Sequence, residues 1–476
     1  MNFNMLAIRR NLREKTIRKR IKQFYSLNLT LIYVLISTAT FYFLNRVQPA
    51  PLIDEIFHIP QGISFIKGNF SEWNPKITTL PGLYLSTSAV FNIIAFVTDI
   101  PVQSLCRTYY LRLFNLVLSV FILQVVFLIL TFDDFSTRKV LNPKKAFWVT
   151  LNISILPIAY FFNHFYYTDT FSTLLVLMMY RQHLLNNFGK AALLGICAVI
   201  ARQTNIIWIG YLMIDESFHS CQKILRKKNS RSHHLANPIK AFRKLLEERL
   251  FKTYVTHFLR NSRCYFLVCL MFIVFVYFNK GIVVGDKDAH VPVIHCCQIF
   301  YFSLFMIIFG YPHLILSIKS FLNAIIGNKR IFIVSLIACL ITIHFNTMSH
   351  PYLLADNRHY TFYFWKRIIE KHYLTKYILA PFYLFGMYAI TTNLDAFKIV
   401  QFWACTCLCL VPQRLLELRY FIVPYIMLRL EISFNNSWST AIETFWFVLI
   451  NCLTLYIFAT KEFYWSDSPA IQRIIW

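Results

Sequence analysis

Long apolar blocks separated by short polar breaks run along nearly the whole chain. The clearest blocks are Phe24–Leu44, Leu111–Leu130, Phe147–Phe162, Phe171–Leu185, Cys264–Phe278, Val293–Leu316, Ile331–Phe345 and Ala441–Ala459. Crossing a hydrocarbon core of roughly 30 Å takes about 20 residues of helix, so these blocks are expected to span a membrane. Residues 81–98, 191–214 and 377–434 hold further apolar segments interrupted by Pro, Arg or Asn, which brings the expected total to about 11 to 14 spans. The fold class is therefore all-α, a polytopic transmembrane helical protein with a single membrane domain over residues 24–476. No internal repeat and no solvated second domain stand out.

Composition points the same way. Of 476 residues, 57% are hydrophobic and 15% charged, against about a quarter charged in soluble domains. The 47 Phe, 27 Tyr and 9 Trp suit lipid-facing helices and interfacial belts. The formal net charge of +26 sits in the connections between apolar blocks, so it argues for membrane-surface lipid and against nucleic acid. The 12 Cys lie scattered in apolar segments, including Cys296–Cys297 and Cys405, Cys407 and Cys409. They lack zinc-like pairing with His and read as small core residues, so no metal site is expected.

Charge sets the orientation. Arg9, Arg10, Arg13, Lys15, Arg18, Lys19, Arg20 and Lys22 precede the first span, so residues 1–23 are expected to be a cytosolic basic N-terminus followed by a retained signal anchor. Arg138, Lys139, Lys144 and Lys145, and the basic residues of 215–263, also read as cytosolic. The latter segment is expected to be a flexible loop followed by a basic amphipathic helix that meets anionic lipid headgroups. The connection 45–80 is charge-balanced, with Arg46, Lys67 and Lys76 against Asp54, Glu55 and Glu72, and belongs on the luminal side. For these sides to agree, 81–98 must not fully cross. It would be a re-entrant or surface helix, making 45–110 one long luminal loop whose Ile56, Phe57, Ile59, Ile63, Phe65 and Ile66 lie on the bilayer.

That loop opens with Asp54-Glu55-Ile56-Phe57-His58-Ile59-Pro60. In a helix Asp54 and His58 share a face. A carboxylate at a membrane surface beside a second carboxylate tends towards a raised pKa, which suits a general base; equally, Asp54 can serve only to cap the helix. Polar clusters also interrupt apolar runs at Arg202–Asn205, Gly285–His290 and His350–Tyr360. Ionisable groups near membrane depth are functional candidates, although each cluster can also be a helix end with snorkelling side chains. Together, a luminal acidic loop and cations at luminal span ends describe a site for an anionic, lipid-anchored substrate. No Gly-rich phosphate loop, HExxH or GxSxG is present.

The strings DEIFHIPQ at 54–61, WNPKITTLPGLY at 73–84, RQTNIIW at 202–208, GDKDAHVPVIHCCQIFYF at 285–302, HPYLLADNRHYTFYFWKR at 350–367 and LRYFIVPY at 418–425 resemble the dolichyl-phosphate-glucose-dependent α-1,2-glucosyltransferases, which add the terminal glucose in lipid-linked oligosaccharide assembly. The resemblance implies a GT-C type fold in the endoplasmic reticulum membrane with a luminal active site. It implies dolichyl phosphate β-glucose as donor, the diglucosylated dolichyl-pyrophosphate oligosaccharide as acceptor, inversion at the anomeric carbon, and no cofactor. Asp54 matches the family's base, with Glu55 as the alternative. Substrate contacts are expected from His58, Trp73, Lys76, Arg202, Asp286, Lys287, His290, His350, Asp356, Arg358, His359 and Arg419. Arg358 and His359, with Arg419 as a partner, are the candidates for the donor phosphate. Where the family pattern is expected to read Trp-Asp-Pro, this chain has Trp73-Asn74-Pro75, and an Asn cannot take a proton as a base. A solute or lipid transporter and a non-catalytic membrane regulator are the rival readings.

Overall fold

The computed structural model describes the backbone of residues 2–132, 140–228, 237–288, 290–432, 437–465 and 468–476, with side chains from residue 16 onward except those of 468–470. The basic side chains of residues 9–15, Arg138, Lys139 and Arg231 lie outside the described residues.

The architecture is a bundle of helices of unequal length. Among the described residues, six are long and apolar enough to cross a membrane: Thr16–Val47, Thr108–Leu130, Phe251–Asn279, Cys297–Gly327, Lys329–Asn346 and Ser437–Thr460. Others, such as Phe188–Ala201, Ala380–Thr392 and Ala396–Leu410, are shorter. The block expected over 147–162 is divided into helices Pro143–Ser154 and Pro157–Phe162. Pro157 carries no N–H for a continuing helix, and it starts a new one at its first position.

Neighbouring helices alternate in direction. Lys22, low on the first helix, bonds the carbonyl of Thr131 just past the Thr108–Leu130 helix, whereas Arg112 at that helix's start reaches Asn45 and Gln48 at the first helix's end. Ser217, Ser220 and Glu216 likewise meet Tyr254, His257 and Asn261, setting Ile206–Lys228 antiparallel to Phe251–Asn279. Every second polar break therefore falls at the same end of the bundle, where the 73–84 segment meets Gln203 and Val284 and Asp286 meets Tyr352. Two short strands, Glu462–Trp465 and Ser468–Arg473, pair antiparallel there, and Ile475 bonds Arg358 and Tyr360 beyond them.

Two expectations are corrected. Residues 215–263 are not a flexible loop in their described part: helix Ile206–Lys228 runs on to Lys228, and Pro238–Glu247 packs Ala241 and Leu245 against Cys221 and Leu225. The apolar spacing of 218–225 continues the helix past the point where charge begins. In the first loop, helix Glu55–Ile66 buries Ile59, Phe65 and Ile66 inside the protein, with only Ile56 of that set strongly exposed. Their partner is the Gly82–Thr98 helix, not lipid, as Ser88 bonding the Phe65 carbonyl shows.

Two glycines make close approaches that fix the first loop. A Cβ at Gly82 would meet the Ile200 carbonyl oxygen at 2.7 Å, and one at Gly285 would meet those of Pro75 and Ile77 at 2.4 Å. The 73–84 segment is thus pressed between 200–205 and 283–286, with Gln203 Nε2 and Val284 N–H both donating to the Thr78 carbonyl.

Candidate active site

Asp54 stands at the N-terminus of helix Glu55–Ile66, but its side chain makes no capping bond. Its carboxylate turns away from the helix and pairs with Arg419, Nη2 to Oδ2, at 3.0 Å. Arg419 begins a short 3₁₀ turn, Leu418–Phe421, far away in sequence. Its Nη1 lies 3.6 Å from Asp169, and its Nε bonds Glu417. Its guanidinium lies over the rings of Phe162 and Tyr167, at 5.1 and 4.9 Å. Asp169 in turn pairs with Arg202 at 2.8 Å. Sequence reasoning named Asp54, Arg202 and Arg419 but missed Asp169 and Glu417, which complete the network.

Burial pushes the Asp54 carboxyl up. Arg419, His58 and His359 outweigh it and hold the group below the ordinary carboxylate range. This is opposite in direction to the sequence expectation, and the reason is geometric: the neighbouring carboxylate is not beside it. Adjacent residues on a helix point about 100° apart, and Glu55 faces inward. Glu55 is fully buried, bonded by Arg112 through Nε and Nη2 and by the N–H groups of Leu52 and Tyr166. Arg112 also donates to Asn45 and to the carbonyls of Gln48 and Ala50. As the alternative base Glu55 is therefore corrected: its oxygens are consumed, and it is an anchor.

What it anchors is the turn that presents Asp54. Ile53, a β-branched residue, sits at φ +50°, a left-handed conformation that such side chains rarely adopt and that persists only where neighbours over-determine it. Glu55 holds Leu52 on one side. The Tyr167 hydroxyl accepts from Asp54 N–H and donates to the Leu52 carbonyl on the other.

His58 lies one turn along, its Nδ1 against the Tyr84 hydroxyl. Burial lowers its pKa to about 4 despite Asp54, so the ring is neutral near pH 7. Trp73 packs edge-on against Phe65 and Tyr84. Asn74 is structural: its side chain accepts from Lys76 N–H, and its own N–H is held by Gln61. The Lys76 side chain is exposed.

The remaining candidates form two further groups. Asp286, at φ +43°, accepts from the Tyr352 hydroxyl, with His290 at 3.9 Å and the His290 and His350 rings 6.5 Å apart. Lys287 turns back to the Asn279 carbonyl. Arg358 makes a two-pronged pair with Asp356 at 2.8 and 2.7 Å, donates to Gln472 and stacks on Trp465. His359 meets Asp356 at 3.6 Å and the Trp476 carbonyl at 2.9 Å. The Arg358 fork is thus spent within its own loop and the strand pair, while Arg419 is the cation set directly against Asp54.

A family profile described as DIE2/ALG10 matches residues 48–430. A human protein named Dol-P-Glc:Glc(2)Man(9)GlcNAc(2)-PP-Dol alpha-1,2-glucosyltransferase is 35% identical over 93% of this chain and 96% of its own length. Relatives of the same name from Drosophila melanogaster and Arabidopsis thaliana are 35% and 33% identical, over 95% and 91% of this chain and 99% and 96% of theirs. No solved structure matches. The chain belongs to the DIE2/ALG10 family.

Proposed function

We propose that the protein transfers glucose from dolichyl phosphate glucose onto the diglucosylated dolichyl-pyrophosphate oligosaccharide, forming an α-1,2 linkage. It does so as a multi-pass enzyme of the endoplasmic reticulum membrane with Asp54 on the luminal side. The observation that carries this reading is the meeting of Asp54 and Arg419: a partly open carboxylate and a largely buried guanidinium, from distant parts of the chain, pair at the end of an apolar bundle and supply the base and the phosphate-binding cation. The conserved name among relatives aligned over nearly the full length adds to it. Nothing in the bundle favours transport.

A β-linked donor and an α-linked product require inversion, and one direct displacement achieves it. Asp54 takes the proton of the acceptor hydroxyl, whose oxygen attacks the anomeric carbon. The bond to phosphate breaks on the far side, where Arg419, backed by Arg202, meets the growing negative charge. His58 and Trp73 line the approach as a neutral hydrogen-bonding ring and an aromatic wall.

The test is incubation of the purified full-length protein with labelled dolichyl phosphate glucose and the diglucosylated acceptor, followed by linkage analysis of the product. A triglucosylated product released by an α-1,2-specific glucosidase is expected; absence of incorporation sinks the reading. Protease protection in sealed microsomes checks the side: the 45–80 segment should be shielded and 215–263 cut.

A further inference from the structure

In the free enzyme the group assigned as base is tied to the group assigned to the phosphate. Three carboxylates surround Arg419, but they differ in access. Asp169 and Glu417 are 4% and 12% exposed, whereas Asp54 keeps 37% of its side chain open. Arg419 itself is 12% exposed, pinned between the Phe162 and Tyr167 rings and bonded through Nε to Glu417. When an anion arrives, the fixed partner is Arg419 and the movable one is the Asp54 carboxylate, which can swing outward about its own χ angles.

We infer that the donor's phosphodiester exchanges for Asp54 on the Arg419 guanidinium, so that the base is released only when donor is bound. This rests on the function proposed above and concerns regulation of that same site. The Arg419 Nη2 that donates to the Asp54 carboxylate can donate equally to a phosphate oxygen, so the exchange replaces like bond with like. Once released, Asp54 loses its counter-ion and faces a new negative charge, and both changes raise its proton affinity. The other charged and titratable groups facing it are His58 on its own helix, Tyr167 and Asp169 from the 165–169 segment, Tyr84, His359, and Glu417 beside Arg419. None of these is replaced by the substrate.

The step balances. The acceptor hydroxyl proton passes to Asp54, and the hydroxyl oxygen forms the bond to the anomeric carbon. The bond between that carbon and the phosphate oxygen breaks, and its electron pair stays on the phosphate. Dolichyl phosphate leaves with one more negative charge than the diester carried, the charge being held meanwhile by Arg419. When it departs, Arg419 recaptures Asp54, and the lowered proton affinity sends the proton to water.

The pH dependence separates the two states, because at saturating acceptor kcat/KM for the donor reports the donor-free enzyme and kcat the donor-loaded one. Activity requires ionised Asp54, so each profile falls as pH drops through its pKa. With the full-length enzyme at saturating acceptor, the acid limb of kcat is expected at higher pH than that of kcat/KM for donor, by about 1 to 3 pH units. In Arg419→Gln the limb of kcat/KM should rise to meet that of kcat, while His58→Gln should leave the gap intact. Coincident limbs in the wild-type enzyme overturn the exchange, with transfer itself unaffected; that measurement alone decides the matter if Arg419→Gln does not accumulate. Loss of the gap in His58→Gln also overturns it, since the titration would then belong to the imidazole. Normal turnover in Asp54→Asn would remove the underlying reading together with the exchange.

Discussion

Arg419 and Arg429 lie on one short stretch of chain, and each is ion-paired with a carboxylate, yet their surroundings differ completely. The Arg429 guanidinium meets Glu443 at 2.7 Å with both side chains essentially inaccessible. Glu443 also receives bonds from Asn152, Tyr425 and His313, so the pair joins four helices, Pro143–Ser154, Cys297–Leu314, Ile422–Glu431 and Ser437–Thr460. Nothing from outside can reach it. The Arg419 pair ends on a carboxylate that is more than one-third open. The same chemistry is a rivet where its oxygens are saturated, and the proposed working site is the pair whose carboxylate remains partly open.

The sharpest contrast is in how the two carboxylates fail when made neutral. Asp54→Asn is expected to lower transfer by about 10²- to 10⁴-fold, with unchanged thermal unfolding of the solubilised protein. A matching fall in stability would make Asp54 another rivet. Glu443→Gln strands Arg429 in the interior and should cost about 3–5 kcal/mol of stability, read as reduced accumulation and a lower Tm. The KM values of whatever folds should be unchanged, and an altered donor KM would break the contrast.

Glu55→Gln tests the anchor role. It leaves the buried Arg112 short of a counter-charge, so a stability loss in the lower part of that same range is expected, together with reduced turnover because the Ile53 turn is no longer held. Full stability with lost turnover would return Glu55 to the list of bases. Arg419→Lys keeps charge but loses the fork, and an increase of about tenfold in donor KM is expected. The smallest effect is expected at Arg358→Lys, within about threefold in donor KM, because its fork already serves Asp356 and Gln472. A larger rise there than at Arg419 would move the phosphate to the 356–359 loop.

Much of this was legible in sequence, for identifiable reasons. Polar clusters in apolar runs marked Arg202, Asp286, His350 and Arg358, and helix alternation brings every second break to the same end. Asp169 and Glu417 were not legible, because each is a single acidic residue whose meaning depends on a cation supplied by another helix. Arg112 hid inside an apolar block in the same way, and with it the true office of Glu55. Span counting was blurred for another reason: helices of 14 or 15 residues such as Phe188–Ala201 and Ala396–Leu410 fall below the length at which hydropathy separates a crossing from a core segment.

The strand pair near residue 470 bears on biosynthesis. Arg473 is buried and donates to the carbonyls of Val47 and Phe458 and to Gln48, while Gln472 and Ile475 hold Arg358 and Tyr360. A ribosome delivers these residues after every described helix of the bundle has been made. Until then, the stretch leading from Val47 towards Asp54 and the 358–360 segment both lack a tie that the finished protein has. The active end is therefore fastened by residues that follow the described helices in synthesis, and a nascent chain that stopped before residue 470 would reach the membrane with its working surface still unfastened.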